Sequence, residues 1–248
     1  PIYKLKSIKN SSEIKHMIKA HKKDGLALTR FIYWIKNTNN KNITEVDAQN
    51  KLEKFRKMNN DYLYPSFNTI AGAGSNAAIV HYRATKLNTK VINKNEIFLC
   101  DSGGQYKYGT TDVTRTLCFS KPKQYIKDKF TKVLKGHIAV ALTNLNKDNT
   151  GKKIDLRARK FLKKDGLDYQ HGTGHGVGFF LNVHEGPQSI SKYNSIKIEK
   201  GMILSNEPGF YKKNYFGIRI ENLLYVKQKK SNLYFENLTL APIDKDLI

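Results

Sequence analysis

The 248-residue sequence has little cysteine and no long apolar segment. Cys100 and Cys118 are its only cysteines, which argues against a disulfide scaffold, and we interpret both as small core residues. No apolar run approaches the roughly 20 residues that a membrane-spanning helix needs. The first residues also lack the apolar core and cleavage site of a signal peptide. We therefore expect a cytoplasmic protein with no membrane partner.

Arginine is scarce relative to lysine. The chain has 44 Lys+Arg against 21 Asp+Glu, a net charge of +23, but only seven of the basic residues are arginine. Proteins that read nucleic acids usually cluster arginine among aromatic residues, because guanidinium groups grip phosphates and guanine edges. The lysines here are scattered over every segment. We expect weak, salt-sensitive adhesion to polyanions and no specific nucleic-acid partner.

The remaining composition indicates a folded protein. Hydrophobic residues make up 39% of the chain and aromatic residues 11%, which excludes disorder over most of its length. There is no low-complexity linker and no fixed-period repeat, so we expect residues 1–248 to form a single domain. The chain begins with proline instead of methionine, and we expect it to be part of a longer protein.

Apolar residues at helical spacing predict four helices. They cover residues 14–35, a segment from 44 onward, 121–144 and 154–164. The second opens at Thr44, which forms a capping-box pattern with Asp47. Three histidines on these stretches lie among lysines, and we expect them to be solvated: His16, His21 and His137.

Apolar runs bounded by turn residues predict strands in the rest of the chain. We expect them at 77–82, 96–101, 112–119, 202–207, 217–226 and 233–241. Strands and helices are grouped instead of alternating, which favours an α+β fold.

Four acidic residues lie at the ends of these strands or inside them. In a strand pair folded near residue 106, Asp101 and Asp112 would face each other. Glu207 and Glu221 repeat this arrangement about residue 214, within apolar strands where a carboxylate needs a partner. Arg219 shares a strand face with Glu221 and is the one cation in view. One arginine cannot balance four carboxylates.

Two divalent cations would supply the missing positive charge. His175, in the glycine-rich stretch 171–178, adds an imidazole to the four carboxylates. This donor set suits Mn²⁺, Co²⁺ or Zn²⁺ better than a metal that prefers thiolates. In two-metal hydrolases the ions lie ~3.5–4 Å apart and lower the pKa of a bridging water. Taken singly, each acid is explained as a cap, turn or salt-bridge residue, so the signal is the set: Asp101, Asp112, His175, Glu207 and Glu221.

Residues 171–187 (HGTGHGVGFFLNVHEGP) resemble the signature of aminopeptidase P, the Xaa-Pro aminopeptidases, in the wording of the eukaryotic cytosolic enzymes. Further stretches that match this family are 101–106, 109–116, 134–140, 206–211 and 216–222. The likeness covers essentially the whole chain. It implies a pita-bread fold, in which a pseudo-twofold antiparallel sheet is flanked by helices.

The same resemblance implies a dinuclear metal site, usually containing Mn²⁺. It implies an aminopeptidase that releases the first residue of peptides with proline in second position, through attack by a metal-bridging hydroxide. The ligands would be the five residues above, with Asp112 and Glu221 touching both metals. The site histidines would hold substrate and help move protons, and an arginine would orient the carboxylates: His81, His171, His184 and Arg219.

Members of this family usually have N-terminal domains that cap the active site and often support dimerisation. We therefore expect residues 1–248 to be the catalytic domain in the C-terminal part of a longer chain, with a possible homodimer. Two alternatives stay open. One is prolidase, a relative of the same fold that cuts only X-Pro dipeptides. The other is a non-catalytic pita-bread module that binds nucleic acid or basic-protein partners, favoured only by the +23 charge.

Overall fold

Helices form where the apolar periodicity predicts them. The computed structural model describes residues 1–248. Its α-helices are α1 Ile2–Ser7, α2 Ser11–Asn37, α3 Glu45–Lys57, α4 Gln124–Ala141 and α5 Gly151–Lys163. The capping box at Thr44 and Asp47 is present, and a second one at Asn10 and Glu13 opens α2. The four predicted helices are confirmed, and α1 is an additional short one.

Thirteen short strands form the sheets. They are β1 Tyr62–Pro65, β2 Ile70–Ala73, β3 Phe98–Ser102, β4 Gly104–Tyr106, β5 Gly109–Thr110, β6 Val113–Leu117, β7 Gly174–Gly176, β8 Glu185–Ile190, β9 Ile203–Asn206, β10 Gly209–Lys212, β11 Phe216–Arg219, β12 Asn222–Lys229 and β13 Asn232–Asn237. All pairings are antiparallel. The sheet orders are β2-β3-β6, β13-β12-β9-β7-β8, β1-β4-β5 and β10-β11.

Each half of the chain packs two helices against an antiparallel sheet. In the first half, Phe31 of α2 and Leu52 of α3 are buried against Phe98 of β3. In the second half, Val140 of α4 and Ile154 of α5 belong to a core cluster that includes residues of the five-stranded sheet. The α+β prediction is confirmed, and the repeated layout agrees with the expected pseudo-twofold.

The predicted strand at 77–82 is wrong. A 3₁₀ helix spans Gly74–Ala78, and Gly74 opens it with a φ of 54°. The carboxylate of Glu45 fixes this turn by accepting hydrogen bonds from Ala73 N and Tyr82 Oη. The apolar run is therefore folded as a short helix and turn, because hydrogen bonds to the buried carboxylate of Glu45, a residue distant in sequence, replace a strand ladder.

Two of the three histidine predictions are wrong as well. His21 and His137 are 2% and 4% exposed. His21 Nδ1 bonds to Met17 O within α2, and His137 Nδ1 bonds to Asn206 O in β9. Burial lowers the pKa of His137 to about 3. Both lie on the inward face of their helix while the neighbouring lysines point outward.

His16 is half-buried and stacks on Tyr108, with 5.2 Å between the ring centroids. Both cysteines are buried and free, as predicted. None of the helices combines the length and apolarity that a transmembrane span requires.

Candidate metal centre

Glu207 and Glu221 lie opposite each other in a gap between two ladders. The β9–β12 ladder pairs Asn206 with Asn222, and the β10–β11 ladder pairs Gly209 with Arg219. Both pairs are symmetric about residue 214, so the two glutamates occupy facing positions, as predicted. Their backbone N–H groups are used elsewhere, since Glu207 donates to Thr173 O and Glu221 to Thr114 O.

The first acidic pair differs from its prediction. The β3–β6 ladder places Asp101 opposite Thr114, and Asp112 lies just before β6. The predicted direct pairing is wrong because β4 and β5 occupy the connection, where a simple turn was expected. Both carboxylates nevertheless line the same cavity.

Every predicted site residue lines one cavity of about 160 Å³. Its polar lining is Asp101, Asp112, His175, Glu207, Glu221, His81, His171, His184 and Arg219. Its apolar lining is Phe67, Ile70, Val80 and Val183. Residues far apart in sequence therefore meet at one place between the two halves of the fold.

His175 presents a nitrogen lone pair to the carboxylates. Its Nδ1 lies 2.9 Å from Gly176 O, and since a carbonyl only accepts, Nδ1 carries the hydrogen. In the neutral ring Nε2 is then unprotonated. It lies 3.4 Å from Asp112 Oδ2 and 3.4 Å from Glu207 Oε1. Donor atoms of Asp112, His175 and Glu221 all lie within 4.8 Å of one another, which is close enough for a shared ion.

The cluster lacks positive charge. Burial and the charges of Asp101 and Glu207 raise the pKa of Asp112 well above its usual range. Burial and the charge of Asp112 do the same to Glu221. Burial also opposes ionisation of Glu207, but its interactions with His175, His171 and Arg219 outweigh burial and lower its pKa. Buried carboxylates in such mutual repulsion fit a site for divalent cations.

Unpaired oxygen atoms lead to the same conclusion. Asp101 Oδ1 and Asp112 Oδ1 are buried and accept no hydrogen bond from the protein. The other oxygen of Asp101 accepts from Arg219 Nη2 at 2.7 Å. Carboxylate oxygens are suitable ligands for Mn²⁺ and Zn²⁺. The residues present therefore fit a pair of divalent cations.

Two hydroxyl groups hold the glutamates and were missed by the sequence reasoning. Thr114 Oγ1 donates to Glu221 Oε2 at 2.7 Å, and Ser205 Oγ donates to Glu207 Oε1 at 3.0 Å. Ser205 is two residues before Glu207, as Thr114 is two residues after Asp112. Strand alternation puts residues two apart on one face, which is the signal that could have found them.

Tyr211 is a third residue that the sequence reasoning missed. Arg219 Nη1 donates to its hydroxyl oxygen at 2.8 Å, and the hydroxyl lies 2.8 Å from His171 Nε2. His171 Nδ1 is bonded to Gly172 O, so Nε2 accepts from the tyrosine. Burial lowers the pKa of His171 and raises that of Tyr211 to about 12. The neutral imidazole is therefore held in one orientation.

The other two histidines are more open. His184 stands perpendicular to His175, with 4.1 Å between the ring centroids. Burial lowers the pKa of His184. His81 lies on the turn after the 3₁₀ helix and is exposed. Both rings line the cavity and can reach a bound molecule.

Comparison with known proteins identifies the family. The sequence profile of Metallopeptidase family M24 matches residues 15–228. This chain belongs to the M24 metallopeptidase family. The predicted relationship is confirmed by relatives. A probable Xaa-Pro aminopeptidase P of Podospora anserina is 46% identical over 262 residues, covering 100% of this chain and 38% of the relative. An uncharacterized peptidase of Schizosaccharomyces pombe is also 46% identical, covering 100% and 44%.

Solved structures of M24 enzymes confirm the fold. The X-prolyl aminopeptidase of Caenorhabditis elegans, described as a cytosolic enzyme with a di-nuclear active site, superposes with a TM-score of 0.94 at 36% identity. The match covers 100% of this chain and 42% of that one. The prolidase of Pyrococcus furiosus has a TM-score of 0.83 at 29% identity, covering 96% and 66%. This chain spans less than half the length of the curated relatives it matches.

Proposed function

We propose that this chain is the catalytic domain of a metal-dependent Xaa-Pro aminopeptidase, which releases the first residue of peptides with proline in second position. The observation that carries the proposal is the single cavity in which four carboxylates, four histidines and an arginine converge. Relatives named Xaa-Pro aminopeptidase P support it at 44–46% identity. We also propose that the whole protein is cytoplasmic, as the C. elegans relative is described to be.

Five residues would hold two divalent cations, for which we propose Mn²⁺: Asp101, Asp112, His175, Glu207 and Glu221. Their unpaired oxygens, the Nε2 lone pair of His175 and the excess negative charge support this role. When bound, the cations would polarise the scissile carbonyl and lower the pKa of a water molecule at the site. Co²⁺ and Zn²⁺ suit the same donors.

The remaining site residues would handle substrate and protons. Cleavage before proline releases a secondary amine, which must gain a proton as the bond breaks. His184 is exposed and its depressed pKa keeps it neutral near pH 7, so it can accept a proton and pass it on. His171 is held by Tyr211 and would bind the substrate as a neutral imidazole. Val80 and Val183 offer an apolar surface to the proline ring.

Replacement of Glu207 tests the assignment. Glu207→Ala should abolish metal-dependent cleavage of an X-Pro-Y tripeptide, since a carboxylate at the centre of the cluster is lost. Glu199→Ala is the matched control, because Glu199 is a surface residue paired with Lys4. Full tripeptide cleavage by Glu207→Ala would refute the site.

Prolidase is the second candidate, because the P. furiosus prolidase shares the fold with a TM-score of 0.83. The two activities differ in substrate length. An aminopeptidase of this type should cleave X-Pro-Y tripeptides at least as well as X-Pro dipeptides. A strict requirement for dipeptides would favour prolidase and overturn the proposal on this point.

A further inference from the structure

The inner face of α5 carries a buried ion pair outside the metal cluster. Asp155 and Arg159 are 0% and 5% exposed, and Arg159 Nε donates to Asp155 Oδ2 at 2.7 Å. Neither residue lines the cavity. A buried ion pair is weak evidence for stability, because desolvation of the two charges offsets their attraction. The other contacts of the pair indicate a different role.

Arg159 donates hydrogen bonds to the backbone of the residues that lead to His171. Its Nη2 donates to His171 O at 2.7 Å, and its Nη1 donates to Tyr169 O at 2.6 Å and to Asp168 Oδ1 at 2.7 Å. The guanidinium carbon lies 3.9 Å from the centroid of the Tyr169 ring. A planar fork with this many directed donors cannot be reproduced by lysine.

Asp155 binds Thr173, at the other end of the stretch of residues 169–173 that Arg159 contacts. Its Oδ1 accepts from Thr173 Oγ1 at 2.6 Å, and the Tyr169 hydroxyl lies 2.5 Å from that same threonine oxygen. The carbonyl oxygen of Thr173 accepts from Glu207 N at 2.8 Å. A continuous path of hydrogen bonds therefore runs from α5 to a proposed metal ligand, and a second path runs to His171.

The backbone of residues 169–173 needs support from other elements. Gly172 and Gly174 lie within and directly after it, and glycine leaves the backbone free to sample many conformations. No residue with a side chain could replace Gly174, because its Cβ would lie 2.0 Å from Ser205 O. Position 174 must therefore be glycine. Because glycine does not fix the backbone conformation by itself, contacts from α5 must do so.

We propose that Asp155 and Arg159 are positioning residues for the site. Together they hold residues 169–173 rigid between α5 and the cavity, and so determine where the His171 ring and the Glu207 backbone lie. They do not touch substrate and act only through the residues they hold. The consequence for catalysis rests on the proposed aminopeptidase function.

Two replacements of Arg159 test the role in catalysis. In the metal-loaded chain, Arg159→Lys and Arg159→Ala should lower kcat/KM for an X-Pro-Y tripeptide about 10- to 100-fold, the loss expected when reacting groups shift by about 1 Å. Arg157→Ala is the control, since Arg157 lies on the exposed face of the same helix and contacts Asp148. Added guanidinium ion should restore part of the activity of Arg159→Ala but not of Arg159→Lys, where lysine fills the space.

Hydrogen exchange tests the positioning without any activity. In metal-free protein, exchange of the Glu207 amide, taken relative to that of Leu99 in β3, should accelerate about tenfold or more in Arg159→Lys and Thr173→Val. It should stay unchanged in Arg157→Ala. Unchanged relative exchange at Glu207 in the Arg159 and Thr173 variants overturns the inference, whatever the activity. If the wild-type chain cleaves no X-Pro peptide, the proposed function fails, while faster exchange still supports the positioning role.

Discussion

Arg219 Nη2 lies 2.7 Å from Asp101 Oδ2, and this ion pair joins the two halves of the fold at the metal cluster. Asp101 is the next-to-last residue of β3 in the first half, and Arg219 ends β11 in the second. The same guanidinium donates to Thr114 Oγ1 and to the Tyr211 hydroxyl. One buried cation therefore orients groups from both halves while leaving Asp101 Oδ1 unpaired for a metal ion.

Thr114→Val should weaken metal binding. The hydroxyl that donates to Glu221 Oε2 is lost, and the Glu221 carboxylate is no longer held in place. Losing such a supporting hydrogen bond typically lowers metal affinity about 10- to 100-fold. Calorimetric titration with Mn²⁺ measures the change. Thr29→Val is the control, because the Thr29 hydroxyl bonds only within α2; equal affinities for both variants would contradict the account.

In the metal-free protein, the buried Asp112 carboxyl should lower the free energy of unfolding as the pH rises. The pKa of Asp112 is raised in the folded state, first by burial and then by Asp101 and Glu207. A carboxyl with a raised folded pKa contributes stability below its unfolded pKa, and that contribution is lost as the pH rises through the folded pKa. Asp112→Asn should reduce this fall by about 1.4 kcal/mol for each unit by which the pKa is raised.

Urea unfolding of chelator-treated protein from about pH 4 to pH 8 measures this effect. Asp148→Asn serves as the control, since the Asp148 side chain is 31% exposed and lies at the surface. With excess Mn²⁺ present, the free energy of unfolding should no longer fall between acid and neutral pH. The same pH slope for wild type and Asp112→Asn would show that the carboxyl is not perturbed.

Tyr211→Phe should reduce kcat/KM with little effect on folding. The substitution removes the hydroxyl that links Arg219 to His171 and leaves the ring in place. His171 then loses the donor that orients it, and kcat/KM for a tripeptide should fall about tenfold or more. Tyr215→Phe, at the partly exposed tip of the β10–β11 hairpin, is the matched control. Equal activity of the two variants would exclude a role for the tyrosine.

Local rules predicted the helices and the second acidic pair. The capping box at Thr44 and the apolar spacing in α2 act within a few residues, so tertiary structure did not override them. Glu207 and Glu221 could be paired because β10 and β11 form a simple hairpin between them. All nine predicted site residues line one cavity, which the sequence motifs anticipated.

Contacts between distant segments account for the misses. The lysines that neighbour His21 and His137 in sequence indicate exposed positions, but other elements bury the helix faces on which these histidines lie. The turn at 74–78 depends on Glu45, which lies about thirty residues earlier. Asp155 and Arg159 have the i,i+4 spacing that is common for surface charges, and only the packing of α5 against residues 169–173 shows their contacts. No spacing rule within one segment reports such contacts.

The central claim is that the cluster binds two metal ions. A calorimetric titration of chelator-stripped protein with Mn²⁺ tests it most directly. The five-ligand cluster predicts close to two ions per chain, with affinity lost in Glu207→Ala and retained in Glu199→Ala. Failure of the stripped protein to bind Mn²⁺, Co²⁺ or Zn²⁺ would contradict the account.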